Sequence, residues 1–155
     1  MPNWCQNSLS INSLLPQQRD SIADALEKDE FLRTFAPLTD GETGVDAWGT
    51  KWDVCDSDVY AEEDTINAYF QTAWSPPVDG LLAISKQFPD AQFRIRYDEP
   101  GVAFCGVSVI KNGVHEEEHY ADYLDIEGIE ELDEDADDHY EVRENIVEEW
   151  LNQYD

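Results

Sequence analysis

Basic residues are scarce in this chain. Nine Lys and Arg stand against 36 Asp and Glu in 155 residues, which gives a formal net charge of −27. Clusters of lysine and arginine supply most of the affinity of nucleic-acid-binding proteins, and they attract peripheral proteins to anionic membranes. Their scarcity argues against direct binding to nucleic acid or to a membrane. It favours a basic protein surface or divalent cations as partners.

Cysteines and long apolar runs are also few. The three cysteines, Cys5, Cys55 and Cys105, are an odd number without a Cys-x-x-Cys spacing. We expect Cys5 and Cys105 to be reduced thiols in buried strands. No apolar stretch approaches the roughly 18 residues that a membrane helix needs, and the amino terminus lacks the pattern of a signal peptide. These absences predict a soluble, cytoplasmic protein.

Large apolar side chains are nevertheless plentiful. Hydrophobic residues make up 41% of the chain and aromatic residues 12%, too much for a disordered protein. The charge is uneven, because residues 114–155 contain 18 acidic and 1 basic residue while residues 1–113 contain 18 and 8. We predict one domain over 1–123. An acidic linker and an amphipathic C-terminal helix, over 124–155, are expected to pack on the same domain.

Alternation of polar and apolar side chains predicts five strands. Four of them cover about residues 4–12, 91–98, 102–110 and 114–122. The other begins at residue 66 and ends at the prolines at 76 and 77. Helical spacing predicts about a dozen residues of helix from Pro16, then helices over 77–88 and 139–153. This order predicts an α+β fold, a ferredoxin-like antiparallel sheet with helices on one face, plus the acidic C-terminal helix.

Several local features carry further expectations. Asn112-Gly113 favours a type I′ hairpin turn, and residues 56–64 read as an acidic loop. Leu15 is expected in the apolar stripe of the first helix. Asp138 and Glu141 are expected to cap the last helix. Two other expectations are that Arg94 and Arg96 point outward and that the linker over 125–138 is loose.

Short motifs occur in a fixed order over about residues 1–123. They are Met-Pro-Asn-Trp-Cys-Gln-Asn at 1–7, Trp-Gly-Thr-Lys-Trp-Asp at 48–53, Thr-Ala-Trp-Ser-Pro-Pro at 72–77, Phe-Pro at 88–89, Tyr-Asp-Glu-Pro-Gly at 97–101 and Phe-Cys-Gly at 104–106. Together they resemble the YubB-type ferredoxin-like domain family. The resemblance implies a ferredoxin-like fold and an origin in bacteriophages, plasmids and their bacterial hosts, with no established activity. Ser13 stands where such proteins tend to have glycine, and the acidic C-terminal third lies outside the shared pattern.

His115-Glu-Glu-Glu-His119 matches the His-Glu-x-x-His zinc motif in letters. That motif needs a helix, whereas this segment follows a hairpin turn and reads as a strand. Residues four apart on a strand are separated by about 13 Å, too far to share one ion. The motif therefore predicts no zinc site.

Aspartate runs suggest calcium binding. The candidate ligands are Asp53, Asp56 and Asp58, or Asp133, Asp135 and Asp137. Neither run has the glycine and terminal glutamate of an EF-hand. The sequence also lacks a nucleophile paired with histidine and a glycine-rich phosphate loop. We therefore expect no catalytic residue, metal or cofactor, and a protein that is not an enzyme.

The acidic residues themselves are the main functional candidate. On a helix, Glu141, Glu144 and Glu148 form a row about 10 Å long, and duplex DNA carries one negative charge per about 1.7 Å. The hypothesis is that the protein mimics DNA and so inhibits a basic, nucleic-acid-binding host protein, such as a restriction or CRISPR complex. A purely solubilising acidic surface is the simpler interpretation. The full candidate surface is Glu116, Glu117, Glu118, Asp133, Glu134, Asp135, Glu141, Glu144 and Glu148.

A second hypothesis is a non-enzymatic adaptor. Such a protein would bind its partner through the aromatic loop at 48–52 or through a sheet edge. Its candidate residues are Trp48, Lys51 and Trp52, with Lys51 stacked on a ring or paired with Asp53.

Overall fold

The computed structural model describes residues 2–155. Over that range the chain forms six strands: β1 (Trp4–Asn12), β2 (Cys55–Glu62), β3 (Thr65–Ala73), β4 (Gln92–Glu99), β5 (Phe104–Lys111) and β6 (Val114–Asp122). It also forms five α-helices: α1 (Pro16–Glu27), α2 (Phe31–Phe35), α3 (Gly44–Trp48), α4 (Val78–Ser85) and α5 (His139–Asn152). A short 3-10 turn, Tyr123–Asp125, follows β6.

All six strands belong to one antiparallel sheet in the order β2-β3-β1-β4-β5-β6. The first four strands, with α1 and α4 as connections, have the β-α-β-β-α-β order of a ferredoxin-like domain. The hairpin of β5 and β6 extends the sheet beyond β4. Its turn has Asn112 and Gly113 at φ 48° and 78°, the left-handed pair that a type I′ turn requires. The predicted fold class and the predicted hairpin turn are both confirmed.

The sheet has two different faces. Leu9 lies opposite Ala68 on β3 and Ile95 on β4, and this first face is buried beneath α1, α2, α3 and α4. The neighbouring residue Ser8 lies opposite Tyr69 and Arg96. Ser8 therefore belongs to the second face, because side chains alternate along a strand.

Helix α5 packs on the second face, over its β4-β5-β6 half. Val147 and Leu151 join a separate core with Cys105 and Val107 of β5. The prediction that Arg94 and Arg96 point outward is wrong, because α5 covers them. Arg96 Nη2 lies 2.6 Å from Glu148 Oε1, and Arg94 donates to the Tyr154 carbonyl.

Three other local predictions are wrong. Residues 55–62 form the edge strand β2 rather than part of an acidic loop. Edge strands often carry charged side chains, which resist pairing with another chain. Leu15 is 59% exposed, because it precedes the first turn of α1. At the start of α5, Asp138 makes no side-chain capping bond.

The linker before α5 is attached to the second core. Ile126 and Ile129 are buried there, and successive turns run from Ile126 to His139. The expected loose linker therefore has two apolar anchors at its first end. Among residues 2–155, no helix is long and apolar enough to cross a membrane.

Candidate functional site

A cleft of about 630 Å³ lies on the second face between α5 and β2. It exists because α5 covers only half of that face. Gln6, Ser8, Tyr69 and Gln71 form its floor over the exposed β3-β1 half. These side chains are polar or aromatic, as expected for a sheet face that meets solvent.

Carboxylates line both sides of the cleft. Glu144 and Glu148 project from α5, and Asp56 and Asp58 project from β2. Arg96 is the basic residue of the cleft, and it is already engaged by Glu148 at 2.6 Å and by the terminal residue Asp155 at 3.3 Å. Opposing carboxylates with one internally paired arginine make the cleft strongly attractive to cations.

Asp98 of β4 also lines the cleft. Burial raises the pKa of Asp98 above its ordinary value, and the hydrogen bond from the Tyr123 hydroxyl opposes this rise in pKa. The positive charge of Arg143 also lowers the pKa of Asp98, whereas the negative charges of Glu144 and Glu148 raise it. Asp98 therefore holds a proton more readily than an exposed aspartate does.

Tyr69 provides an aromatic surface on the floor. Its side chain is 52% exposed, and its ring lies edge-on to Tyr60, 6.3 Å away between centroids. A guanidinium group can stack on such a ring while it pairs with a carboxylate.

The structure brings two of the nine candidate acidic residues into this cleft, Glu144 and Glu148. Glu141 is three residues earlier than Glu144 on the same side of α5. Asp133, Glu134 and Asp135 are exposed in the turns before α5, where the Asp135 amide donates to Asp133 Oδ1 at 3.0 Å.

The three glutamates of β6 do not share one surface. Glu117 lies 3.6 Å from His119, whose ring stacks on Tyr154 beside α5. Glu118 is the next residue along the strand and lies opposite Ser108 on the first face. Glu116, beside a bulge, accepts a hydrogen bond from Gln92. The nine candidates therefore do not form one continuous array.

Sequence reasoning did not identify Asp56, Asp58 and Asp98 as members of this site. The sequence predicts a loop for Asp56 and Asp58. The alternation of Asp58 and Tyr60 around Val59 was the available signal for a strand.

The His-Glu-x-x-His segment lies on β6. His115 is opposite Ile110 and His119 is opposite Val107, so the two rings lie on different faces of the sheet. Within the described part of the chain, no group of three His, Cys, Asp or Glu side chains is arranged to hold a metal ion.

The aromatic loop forms a second groove, of about 480 Å³, on the surface. Trp48 is buried at the end of α3, and its indole donates to the Ala36 carbonyl at 2.7 Å. Trp52 remains 47% exposed. Lys51 Nζ lies 5.1 Å from the Trp52 ring, which is the stacking arrangement considered for it, whereas Asp53 pairs with Arg33.

Comparisons with known proteins identify the domain family. The family described as "Ferredoxin-like domain in Api92-like protein" matches residues 47–143. Among solved structures, the crystal structure of a protein api92 from Yersinia pseudotuberculosis is similar at 17% sequence identity and a TM-score of 0.46, over 59% of this chain and 35% of that one. A search of curated proteins found no match. The matched description supports the ferredoxin-like fold that the sequence resemblance implied, under the Api92-like rather than the YubB-type name. The chain belongs to the family of ferredoxin-like domains in Api92-like proteins.

Proposed function

We propose that this protein binds a basic, nucleic-acid-binding host protein and inhibits it by occupying the surface that would bind DNA. The observation that supports the proposal is the acidic cleft, in which Glu144 and Glu148 of α5 face Asp56 and Asp58 of β2. The carboxylates stand on a strand of the sheet and on a helix packed against that sheet, so little entropy is lost when they meet a partner.

The remaining acidic residues strengthen the attraction at longer range. With a net charge of −27, the molecule attracts basic surfaces beyond the cleft, to about 10 Å at 0.1 M salt. Such steering accelerates association and disfavours acidic partners and nucleic acid itself. This role requires no enzymatic activity and no cofactor.

The resemblance to YubB-type proteins suggests the kind of partner. An origin in a phage or plasmid would make a host defence complex, such as a restriction or CRISPR complex, a suitable target. Such complexes bind DNA through basic grooves, and they would be met in the cytoplasm.

A competition experiment tests the proposal. The full chain is immobilised and exposed to bacterial host lysate at about 0.05 M salt, and captured proteins are then eluted with duplex DNA or with about 0.5 M salt. We expect DNA-binding proteins to be captured and displaced by both treatments. Proteins that neither salt nor DNA displaces would contradict mimicry.

A pair of charge-matched variants separates the cleft from total charge. The cleft variant carries Asp58→Asn, Glu144→Gln and Glu148→Gln. The control carries Glu27→Gln, Asp40→Asn and Asp90→Asn, which are exposed and distant from the cleft. Both variants lose three negative charges. If the affinity for the captured proteins falls about 10-fold or more in the cleft variant alone, the cleft is the binding surface. Equal losses would mean that net charge alone explains capture.

The adaptor is the second candidate function. The groove at Trp48, Lys51 and Trp52 favours it, because Trp52 is an exposed aromatic side chain beside an apolar hollow. Binding there would depend little on salt and would be lost in Trp52→Ala.

A further inference from the structure

The groove beside Trp52 has apolar walls. Its apolar lining consists of Trp48, Trp52, Pro37 and Leu38. The Trp48 indole is fixed by its bond to Ala36, and Trp52 leans on Trp4 with ring centroids 6.4 Å apart. A volume of about 480 Å³ accommodates one or two large side chains.

Among residues 2–155, Asp53 is the carboxylate that lines the groove, and it cannot accept a hydrogen bond from a ligand. Asp53 Oδ1 accepts from the Leu32 and Val54 amides at 2.9 and 2.8 Å. Asp53 Oδ2 accepts from the amide and Nε of Arg33 at 3.0 and 3.1 Å. A carboxylate oxygen has about two acceptor positions, so both oxygens are fully used.

The charged groups that remain available are donors. Arg33 uses Nε for Asp53, and its terminal amino groups have no hydrogen-bond partner among residues 2–155. Lys51 is exposed and has no carboxylate within ion-pair distance in that range. An apolar hollow whose only free charged groups are cations selects an apolar group joined to an anion.

We propose that this groove docks a short segment of a partner protein in which an aromatic or aliphatic side chain lies next to an aspartate or glutamate. The proposal rests on the second candidate function, the adaptor, and specifies its ligand. A partner protein is favoured over a second copy of this chain, because two molecules that each carry −27 repel one another.

A peptide-library selection tests the proposal. Random nine-residue peptides are selected on the immobilised full chain at about 0.3 M salt, which suppresses attraction to the general acidic surface. We expect recovered peptides to share an apolar residue beside Asp or Glu. Their binding should shift the Trp52 indole signal in the NMR spectrum, assigned with Trp52→Ala.

Matched variants determine whether the groove is responsible. We expect Trp52→Ala to lower the affinity for the selected peptides about 30-fold, and Lys51→Gln to lower it about 3-fold. The controls are Trp74→Ala, which removes another half-exposed tryptophan, and Lys111→Gln, which removes another exposed lysine. Neither control should change binding.

Three outcomes would overturn the proposal: peptides without a carboxylate, equal losses in the controls, or sedimentation that shows a dimer whose formation depends on Trp52. The last would make a second copy the occupant. The cleft variant should retain peptide binding, so failure here leaves the DNA-mimic experiment unaffected.

Discussion

Asp98 illustrates how a single half-buried residue links the segment after β6 to the cleft. Its carboxylate accepts a hydrogen bond from the Tyr123 hydroxyl. This bond anchors the segment after β6 to β4. Burial also raises the pKa of Asp98. An acid whose pKa is raised on folding stabilises the folded state when the pH is below its ordinary value of 3.8. This contribution is lost as the pH rises through the raised pKa.

We therefore predict that Asp98→Asn is more stable than the parent chain at pH 7. The amide oxygen can still accept from Tyr123, and no charge remains to be desolvated. The melting temperature should rise by about 2 °C at neutral pH, and the difference should vanish below the ordinary aspartate pKa. Thermal melts of the variant and the parent chain, at pH 7 and at a pH below the ordinary aspartate pKa, measure this difference in melting temperature. The exposed Asp90→Asn variant is the control. A lower melting temperature at pH 7 would show that attraction from Arg143 outweighs the cost of burial.

At the scale of elements, sequence patterns predicted the strands that alternate between a buried and a polar face. In β1, which the sequence predicts over 4–12, the alternating residues Cys5, Asn7, Leu9 and Ile11 are all buried. Strand β2 was not predicted, because it is an edge strand paired only with β3 and its exposed side chains are mostly charged. The apolar stripe of α5 predicts that the helix packs, but nothing in the stripe specifies which sheet face it covers. Half of the cleft depends on that choice.

Helix α2 is capped by Asp53, a residue distant in the sequence. Helix α2 has no capping side chain of its own at Glu30. The first-turn amides of Leu32 and Arg33 donate instead to Asp53, just before β2. Because the carboxylate also meets the positive end of the helix, it is well placed to stabilise α2.

We predict that Asp53→Ala destabilises the protein by about 3 kcal/mol or more, since three buried or partly buried amides lose their acceptor. In a domain of this size, that corresponds to a melting temperature lower by about 6–12 °C. Calorimetry of Asp53→Ala beside exposed Asp40→Ala measures the effect. A change as small as that of the control would mean that water replaces the carboxylate without cost.

The charge of the whole molecule opposes its own folding. Thirty-six acidic residues face nine basic ones, so repulsive pairs outnumber attractive ones. Two ion pairs are nevertheless concentrated at one place, where Arg96 holds Glu148 of α5 and Asp155 just after that helix. Salt weakens both kinds of interaction, and the balance between them decides the direction in which stability changes.

We predict that stability rises with salt, because the excess of carboxylates makes repulsion the larger effect. Between about 0.01 and 0.3 M NaCl the melting temperature should increase by about 3–6 °C as the screening length shortens. The control variant with Glu27→Gln, Asp40→Asn and Asp90→Asn has three fewer negative charges, so its increase should be smaller. A melting temperature that falls with salt would instead mean that the arginine contacts of α5 dominate. In that case α5 would be held to the sheet mainly by charge, and the side of the cleft formed by Glu144 and Glu148 would loosen at the ionic strength at which a partner is bound.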